Sequence, residues 1–258
     1  MGGVSFDDVI IDSPSKTIIS CGIPFVMFPG NGSTVGLQFT GSAGAFTLSA
    51  SAIPTNHYAL LSGFYTYLPA NFGGQTIDAG WYWATLSSDT AGILYQNTYT
   101  SGTPTIPATP TAFVANLTGW LTQSLSEITA LNGFTLFGGS LGKNGDLTWW
   151  WRLGGNTSGS KAIKIKLGGT TLMNIPVSTS PGVEASGKIK NIGRQDKQII
   201  SRYSSLTGIG QAGATYSANE VSSIDTSSDK TITVTLLLQT TSDALALMAF
   251  TLISTYGE

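Results

Sequence analysis

The side chains that could do chemistry in this chain of 258 residues are few, and they lie far apart in the sequence. His57 is the one histidine and Cys21 is the one cysteine. These counts exclude a disulfide within the chain, a cysteine-based zinc or iron–sulfur site, and the paired-histidine metal motifs. We therefore predict no metal site, and we expect Cys21 to stay reduced.

Nucleophilic catalysis by a serine needs a histidine base and an orienting acid beside it. The nearest approach to a nucleophile elbow is Thr40-Gly41-Ser42-Ala43-Gly44, which lacks the first glycine of that motif and precedes no predicted helix. Residues 154–161 do not match the phosphate-binding loop motif, because Ser160 occupies the position of the motif's lysine and Lys161 begins a predicted strand. We interpret His57 as a surface or hydrogen-bonded core residue and residues 154–161 as a hairpin loop.

Two pairs of carboxylates are candidates for glycoside hydrolysis, which needs two acids about 5 to 10 Å apart, one with a raised pKa. Asp78 and Asp89 flank an aromatic strand and could face one cleft. Asp225 and Asp229 enclose Thr-Ser-Ser, a composition typical of an Asx-turn between strands. We prefer a structural role for both pairs, so the sequence predicts no catalytic residue.

Three aromatic clusters could stack on sugar rings: Trp149-Trp150-Trp151, Trp81-Tyr82-Trp83, and the group Phe64, Tyr65 and Tyr67. Alternate residues of a strand face opposite sides, so Trp149 and Trp151 share one side and Trp150 faces the other. At least one side should be core or subunit interface, and we expect structural roles for most of these rings.

The elements that position these residues are predicted to be β-strands. Residues 161–167 alternate, with Lys164 and Lys166 on a wet face and three buried positions: Ile163, Ile165 and Leu167. Residues 230–236 repeat the pattern, with threonines outward and Ile232, Val234 and Leu236 inward. Residues 244–254 are apolar on both faces, so that strand should lie centrally or between two layers. The absence of an amphipathic helix and of a fixed-period repeat favours an all-β sandwich or jelly roll.

Composition divides the chain into an N-terminal arm (residues 1–20), a first β-rich, sandwich-like domain (21–118) and a second β-domain (119–258). The proline-rich run 103–110 cannot sit in a central strand and is an extended connector. Glycine fills 32 positions, which suits strands joined by tight turns.

Charge is scarce and uneven: 10% of residues are charged, against roughly 25% in an average soluble domain. From Thr17 to Ser126 the only ionised side chains are Asp78 and Asp89. This segment is either coated with Thr, Ser and Asn or covered by copies of itself or a larger assembly. The net charge of −2 excludes a basic field for nucleic acid. No signal peptide and no apolar run long enough to span a membrane are recognised.

The order of several glycine-rich segments resembles that of structural proteins of tailed bacteriophages. In the C-terminal part these segments are residues 133–147, 161–170 and 224–235. Upstream they are Tyr67-Leu68-Pro69-Ala70, Ala79-Gly80-Trp81-Tyr82-Trp83 and residues 92–99. They are spread over most of the chain beyond the arm, from residue 67 to residue 235.

The resemblance implies a non-enzymatic virion component that is a homotrimer with a C-terminal jelly roll and no cofactor. Such a protein is a tail fibre or spike that touches the host, or a head fibre or decoration protein. The arm is then expected to dock onto a capsid or tail protein after assembly in the host cytoplasm. A host-surface glycan or protein is a candidate further partner. No catalytic residue carries over, because the matching segments hold turns and strands.

Two alternatives remain at this stage. A glycan-cleaving tailspike, or depolymerase, would use Asp78 and Asp89, although the short arm and the missing internal repeat disfavour its usual β-helix. A secreted carbohydrate-binding module is disfavoured because no signal peptide is recognised.

Overall fold

The computed structural model describes residues 10–13, 16–21, 25–27, 37–48, 63–88, 90–99, 117–121, 126–155, 161–177, 182–205, 214–239 and 245–258. His57, Asp89 and the run 103–110 lie outside these residues. The predicted all-β class is confirmed: the described residues form eighteen strands and a 3-10 turn at Phe72–Gly74, with no α-helix in that part of the chain.

The strands of the first half are short and separated by glycine-rich turns. They are β1 (Ile10–Ser13), β2 (Lys16–Cys21), β3 (Phe25–Met27), β4 (Leu37–Thr40), β5 (Ala45–Leu48), β6 (Gly63–Leu68), β7 (Gly80–Ser88), β8 (Ala91–Tyr99) and β9 (Thr118–Trp120).

The strands of the second half are longer. They are β10 (Ile128–Leu136), β11 (Asp146–Gly155), β12 (Lys161–Leu167), β13 (Thr170–Val177), β14 (Gly182–Asn191), β15 (Gln198–Ser205), β16 (Ala214–Ser222), β17 (Lys230–Leu238) and β18 (Leu245–Thr255).

Fourteen of these strands form one curled sheet and four form a second. The large sheet follows the order β16-β15-β14-β11-β18-β3-β6-β7-β8-β5-β4-β9, with β2 also paired to β18 and β1 paired to β2. The small sheet has the order β10-β17-β12-β13. All recorded pairs are antiparallel except β3 with β6. The jelly-roll connectivity of the C-terminal part stays a prediction.

The larger hydrophobic core lies between the small sheet and the β11–β18 part of the large sheet. Trp149 and Trp151 of β11 are fully buried against Ile163 and Ile165 of the small sheet and Phe250 of β18. Along each strand these buried positions alternate with outward ones. This period of two is that of an antiparallel sheet with one face buried. Strand patterning therefore accounts for this two-layer core.

A smaller core lies in the first half of the chain. It is built from buried apolar side chains of β4 to β8 and of the segment before and after β9: Leu37, Phe39, Phe46, Leu48, Phe64, Leu68, Phe72, Tyr82, Ala84, Leu94, Leu117 and Leu121. Leu37 and Phe39 of β4 and Phe46 and Leu48 of β5 alternate with more exposed residues, and all four are at most 5% exposed. The domain boundaries drawn from the sequence stay predictions.

The inward faces predicted for residues 161–167 and 230–236 hold at the level of single residues, but Thr235, predicted on the wet face, is 5% exposed and donates a hydrogen bond to Glu127. Ile163, Ile165 and Leu167 are fully buried, whereas Lys164 and Lys166 are half-buried on the outer face. The turn at Gly168 and Gly169 is confirmed; both have positive φ, as a two-residue type I′ hairpin turn requires. The final strand is central as predicted, because β18 pairs with β11 on one edge and with β2 and β3 on the other.

The hairpin predicted at residues 154–161 is wrong. β11 ends at Gly155 and β12 begins at Lys161, but β11 belongs to the large sheet and β12 to the small one. The segment therefore connects two layers. Periodicity identified both strands but carried no information on which sheet each strand joins.

Part of the sequence assigned to the arm belongs to the large sheet. β2 pairs along β18 from Lys16 opposite Thr255 to Cys21 opposite Phe250, and β1 folds back on β2. Residues 1–9 of the predicted arm lie outside the described part of the chain, and docking by the arm stays a prediction.

Candidate functional site

The carboxylate pairs considered for hydrolysis do not form a site in the described residues. Asp78 is exposed, its backbone carbonyl accepts a hydrogen bond from the Tyr82 hydroxyl at 2.8 Å, and Asp89 lies outside the described residues. Burial, and secondly the nearby Asp78 charge, raise the pKa of the Tyr82 hydroxyl. Tyr82 therefore stays protonated and serves as a donor that closes its turn.

Asp225 forms the Asx-turn expected from its sequence. Its carboxylate accepts hydrogen bonds from the Ser227 backbone N–H at 3.0 Å and from the Ser227 hydroxyl at 2.5 Å, between β16 and β17. These hydrogen bonds lower the pKa of Asp225. A glycosidase acid needs the opposite shift. Asp229 accepts the Gly138 backbone N–H at 2.7 Å, which ties it to the β10–β11 loop.

The aromatic clusters are mainly structural, as the sequence indicated. Trp81 and Trp83 are each 3% exposed and pack into the larger core, where Trp83 makes an edge contact with Tyr65. The Trp81 indole N–H donates to the carbonyl of Thr129 at 2.8 Å and so links β7 to β10. Phe64 and Tyr82 point to the opposite face, into the smaller core. The sheet β6–β7 is thus buried on both sides and joins the two cores.

Trp149 and Trp151 share the buried side of β11, and Trp150 lies half-buried on the other side, as predicted. The Trp150 indole N–H donates to the Glu184 carboxylate at 2.7 Å on the outer face of the large sheet. The buried rings are inaccessible to a sugar within this chain.

One end of the C-terminal two-layer region gathers most of the remaining polar structure. We call it the loop end and define it as residues 137–145, 192–197, 223–229 and 256–258. These segments connect β10 to β11, β14 to β15 and β16 to β17, and follow β18. Antiparallel strands bring these connections to the same end of the sheets.

A buried network of amide side chains joins the loops of the loop end. Asn191 and Gln198 are fully buried, and Thr226 is 1% exposed. The Asn191 amide donates to the Gly142 carbonyl at 2.7 Å and to the Thr226 hydroxyl oxygen at 2.9 Å, and its oxygen accepts from Gln198 at 3.0 Å. Such fully satisfied buried networks favour one arrangement, because each alternative leaves a buried polar group unpaired.

Gln198 completes the network. Its amide nitrogen carries two hydrogens and lies within hydrogen-bond distance of three oxygens, those of the Asn191 side chain at 3.0 Å, the Gln195 carbonyl at 2.8 Å and the Ile224 carbonyl at 2.7 Å, so one hydrogen is shared between two acceptors. Its side-chain oxygen accepts the Ile224 N–H at 3.0 Å. The Thr226 hydroxyl donates to the same Gln195 carbonyl at 2.8 Å. All three loops are therefore held at fixed positions.

Asn144 ties residues 256–258 into the same assembly. Its backbone N–H donates to the Gly257 carbonyl at 3.1 Å, and its side chain donates to the Glu258 carbonyl and accepts the Gly193 N–H. Gly142 has a positive φ, and a Cβ at that position would lie 2.1 Å from the Gly257 carbonyl oxygen. A larger residue at 142 would separate the loop from this segment.

The surface of the loop end combines apolar and charged side chains. Four large apolar side chains are exposed among the residues whose burial is described, and three of them lie here: Phe137, Ile192 and Tyr256. The same end has an open depression of about 430 Å³, lined by Lys143, Gly193, Arg194, Gln195, Asp196, Asp225 and Ser227. Its volume lies within the range of small-ligand sites, roughly 300–1,000 Å³.

Two of the four charges around the depression form an ion pair, and a third, Asp225, is hydrogen-bonded to Ser227. Two nitrogens of the Arg194 guanidinium donate to the two oxygens of Asp196 at 2.8 and 2.7 Å. These hydrogen bonds lower the pKa of Asp196. Asp196 and Asp225 are therefore ionised acceptors at neutral pH. With Lys143 and Arg194, the lining carries two cations and two anions.

A separate ionic cluster lies on the outer face of the small sheet. Glu127, just before β10, accepts from Lys164 at 2.5 Å, from Lys166, and from the Thr235 hydroxyl at 2.8 Å. Burial alone would raise the pKa of Glu127, but the hydrogen bonds from these three donors outweigh burial and lower the pKa to about 2. The cluster fixes the start of β10 on β12 and β17, so we assign it a structural role.

The sequence interpretation missed the buried amide network. Asn191 and Gln198 stand at the facing ends of β14 and β15, where polar residues ordinarily indicate solvent-exposed turns. The available signal was that both side chains carry donors and acceptors and flank a short polar turn. In the sequence this pattern looks the same as a surface turn, because only the tertiary structure shows the loops that bury the two side chains.

The described residues contain no group of three or more His, Cys, Asp or Glu side chains placed to hold a metal ion. In the same part of the chain no helix is long and apolar enough to cross a membrane. Comparison with protein-family models and with curated protein sequences finds no match to this chain.

Proposed function

We propose that this chain is a non-enzymatic structural protein of a tailed-bacteriophage virion. In this proposal it forms a homotrimeric surface appendage, a tail fibre or spike or a head fibre or decoration protein. The segment before β1 docks onto the capsid or tail, and the loop end faces outward and contacts the host.

The observation that carries this proposal is the spatial meeting of the segments that resemble phage structural proteins. Residues 133–147 and 224–235 meet where the Gly138 N–H donates to Asp229 and the Gly139 N–H donates to the Thr226 carbonyl at 2.9 Å. The third segment, 161–170, joins them through the Gly168 N–H, which donates to the Thr231 carbonyl at 2.9 Å. The three segments therefore lie in one packed unit of the fold, and their order along the chain is what supports the proposal.

The construction of the loop end supports a binding role. Its loops are held by buried hydrogen bonds, so a contact surface there would be preorganised and would lose little conformational entropy on binding. Asp225, in its Asx-turn, and the Arg194–Asp196 ion pair already form hydrogen bonds with neighbouring residues. The lowered pKa of Asp225 also disfavours a glycan-cleaving role for the Asp225 and Asp229 pair.

The charge-poor first half also bears on assembly. Asp78 is the one charged residue among the described residues of the range 37–121. The exposed side chains there include Thr40, Thr47, Asn71 and Thr118, and Ile93 is the one large apolar side chain exposed among the described residues of that range. This surface agrees with the interpretation that the segment is coated with Thr, Ser and Asn. It is also compatible with polar contacts between copies of the chain. The proposed homotrimer therefore rests on the resemblance to phage structural proteins.

Two measurements test the proposed function. Light scattering or mass photometry of the purified chain at micromolar concentration should give three times the monomer mass, and a stable monomer would contradict the trimer. Gold-labelled antibody against the chain should decorate intact phage particles from the producing cells. Label found only in the culture medium would refute the virion assignment and favour a secreted carbohydrate-binding module.

A further inference from the structure

The depression in the loop end presents hydrogen-bonding groups of both kinds at short range. Lys143, Arg194 and Gln195 bring donors, while Asp196, Asp225 and the Gln195 side-chain oxygen bring acceptors. A sugar hydroxyl both donates and accepts, so a lining with donors and acceptors side by side can engage adjacent hydroxyls of one ring. An apolar ligand would remove water from these charged groups without offering them a new hydrogen bond.

The two carboxylates of the lining are hydrogen-bonded to neighbouring residues before any ligand arrives. Asp196 is fixed by the two hydrogen bonds from Arg194, and Asp225 by its turn with Ser227. Each of these hydrogen bonds leaves further lone pairs on the carboxylates, because an ionised carboxylate accepts about four hydrogen bonds. Beneath them, the Gln195 carbonyl accepts from Gln198 and Thr226 of the buried network.

Apolar surface adjoins the polar lining. Ile192 directly precedes Gly193 of the lining and is 48% exposed. Tyr256 is also 48% exposed, and its ring lies 2.9 Å from where a Cβ on Gly142 would be, next to Lys143. Sugar rings have one face of C–H groups and an edge of hydroxyls, so they suit a site where aromatic and apolar side chains border polar groups.

We propose that this depression binds a neutral saccharide unit of a surface polysaccharide. Two cations and two anions line it, so neither an acidic nor a basic ligand gains net attraction. A protein partner fits less well, because the cores of protein interfaces are depleted in charged residues. This inference deepens the proposed function, since it names the host ligand of the loop end.

The test is a set of immobilised oligosaccharides: neutral hexose and N-acetylhexosamine chains beside matched chains containing uronate or sialic acid. The full-length wild-type protein is expected to bind members of the neutral set. Binding confined to the acidic chains, or no binding to any chain at millimolar oligosaccharide, would overturn the proposal.

The matched variants are Arg194→Ala and Arg152→Ala, which each remove one exposed arginine. Arg194 lines the depression, whereas Arg152 lies on the outer face of β11. We expect Arg194→Ala to weaken binding about tenfold or more, as for loss of a charge-assisted hydrogen bond. Arg152→Ala should bind as the wild type does. Equal binding by wild type and Arg194→Ala would refute the assignment of the site.

Folding of the variants is checked by thermal unfolding, and Lys143→Ala with Lys190→Ala as its control gives a second pair. The outcomes separate this inference from the proposed function. Protein that decorates virions and adsorbs to host cells but binds no neutral oligosaccharide leaves the function standing and removes the saccharide site. If the chain is absent from virions but binds saccharide in a way that depends on Arg194, the saccharide site stands and the proposed function is refuted.

Discussion

Replacing Asn191 with leucine tests whether the buried amide network holds the loop end together. Leucine has a similar shape, so the change removes hydrogen bonds and leaves little cavity. Three hydrogen bonds are lost, those to the Gly142 carbonyl, the Thr226 hydroxyl and the Gln198 amide. At about 1 kcal/mol each, and with the Gly142 carbonyl losing a buried partner, we expect the free energy of unfolding to fall by about 3 kcal/mol.

Urea unfolding followed by tryptophan fluorescence, at one fixed protein concentration, measures this loss. The control is Asn174→Leu, because Asn174 is exposed on β13 and should change stability by no more than about 0.5 kcal/mol. Hydrogen exchange should also speed up at the Gly139 and Thr226 amides, which bond within the loop end. A loss below about 1 kcal/mol, or one equal to that of the control, would show that the network does not hold the loops.

Two further predictions concern the strands that carry the loop end. Glu127 has a pKa of about 2 in the folded chain, below its ordinary value of 4.5, so it stabilises the fold above about pH 4.5 and that contribution disappears as the pH falls toward 2. Allowing for screening of a side chain that is 26% exposed, Glu127→Gln should lower the free energy of unfolding by about 1–2 kcal/mol at pH 7. Urea unfolding at pH 7 and pH 3 checks this, and a difference that does not shrink at pH 3 contradicts it. Gly187→Ala should lower the free energy of unfolding by about 1–3 kcal/mol, because the added Cβ would lie 2.2 Å from the Trp149 ring. Ser186→Ala, on the outer side of β14, is the control and should leave the free energy of unfolding nearly unchanged. Equal urea unfolding midpoints for these two variants would refute the packing argument.

The strands could be predicted because their signal is local. Ile163, Ile165 and Leu167 alternate with Lys164 and Lys166, and a period of two allows only one face to be buried. The same rule separated Trp149 and Trp151 from Trp150. The final strand was predicted to be central because both its faces are apolar, and its neighbours in the sheet agree.

The loop end could not be predicted, because its components are distant in sequence. Asn191 bonds to Gly142, 49 residues away, and to Thr226, 35 residues away. A polar residue after a strand indicates a surface turn unless other loops cover it. The hairpin predicted at residues 154–161 was wrong for a related reason, because β11 and β12 are adjacent in sequence but belong to different sheets.

The sequence by itself determined the all-β class, the turn at Gly168 and Gly169, and the inward face of the strands, because alternation and glycine act within a few residues. Only the tertiary structure decided that Trp81 and Trp83 close the larger core and that Asn191 and Gln198 are buried. It also placed Arg194, Asp196 and Asp225 around one depression. These features depend on which strands pair across long stretches of chain, and burial then changes the same polar groups from solvated turn residues into the links of a fixed network.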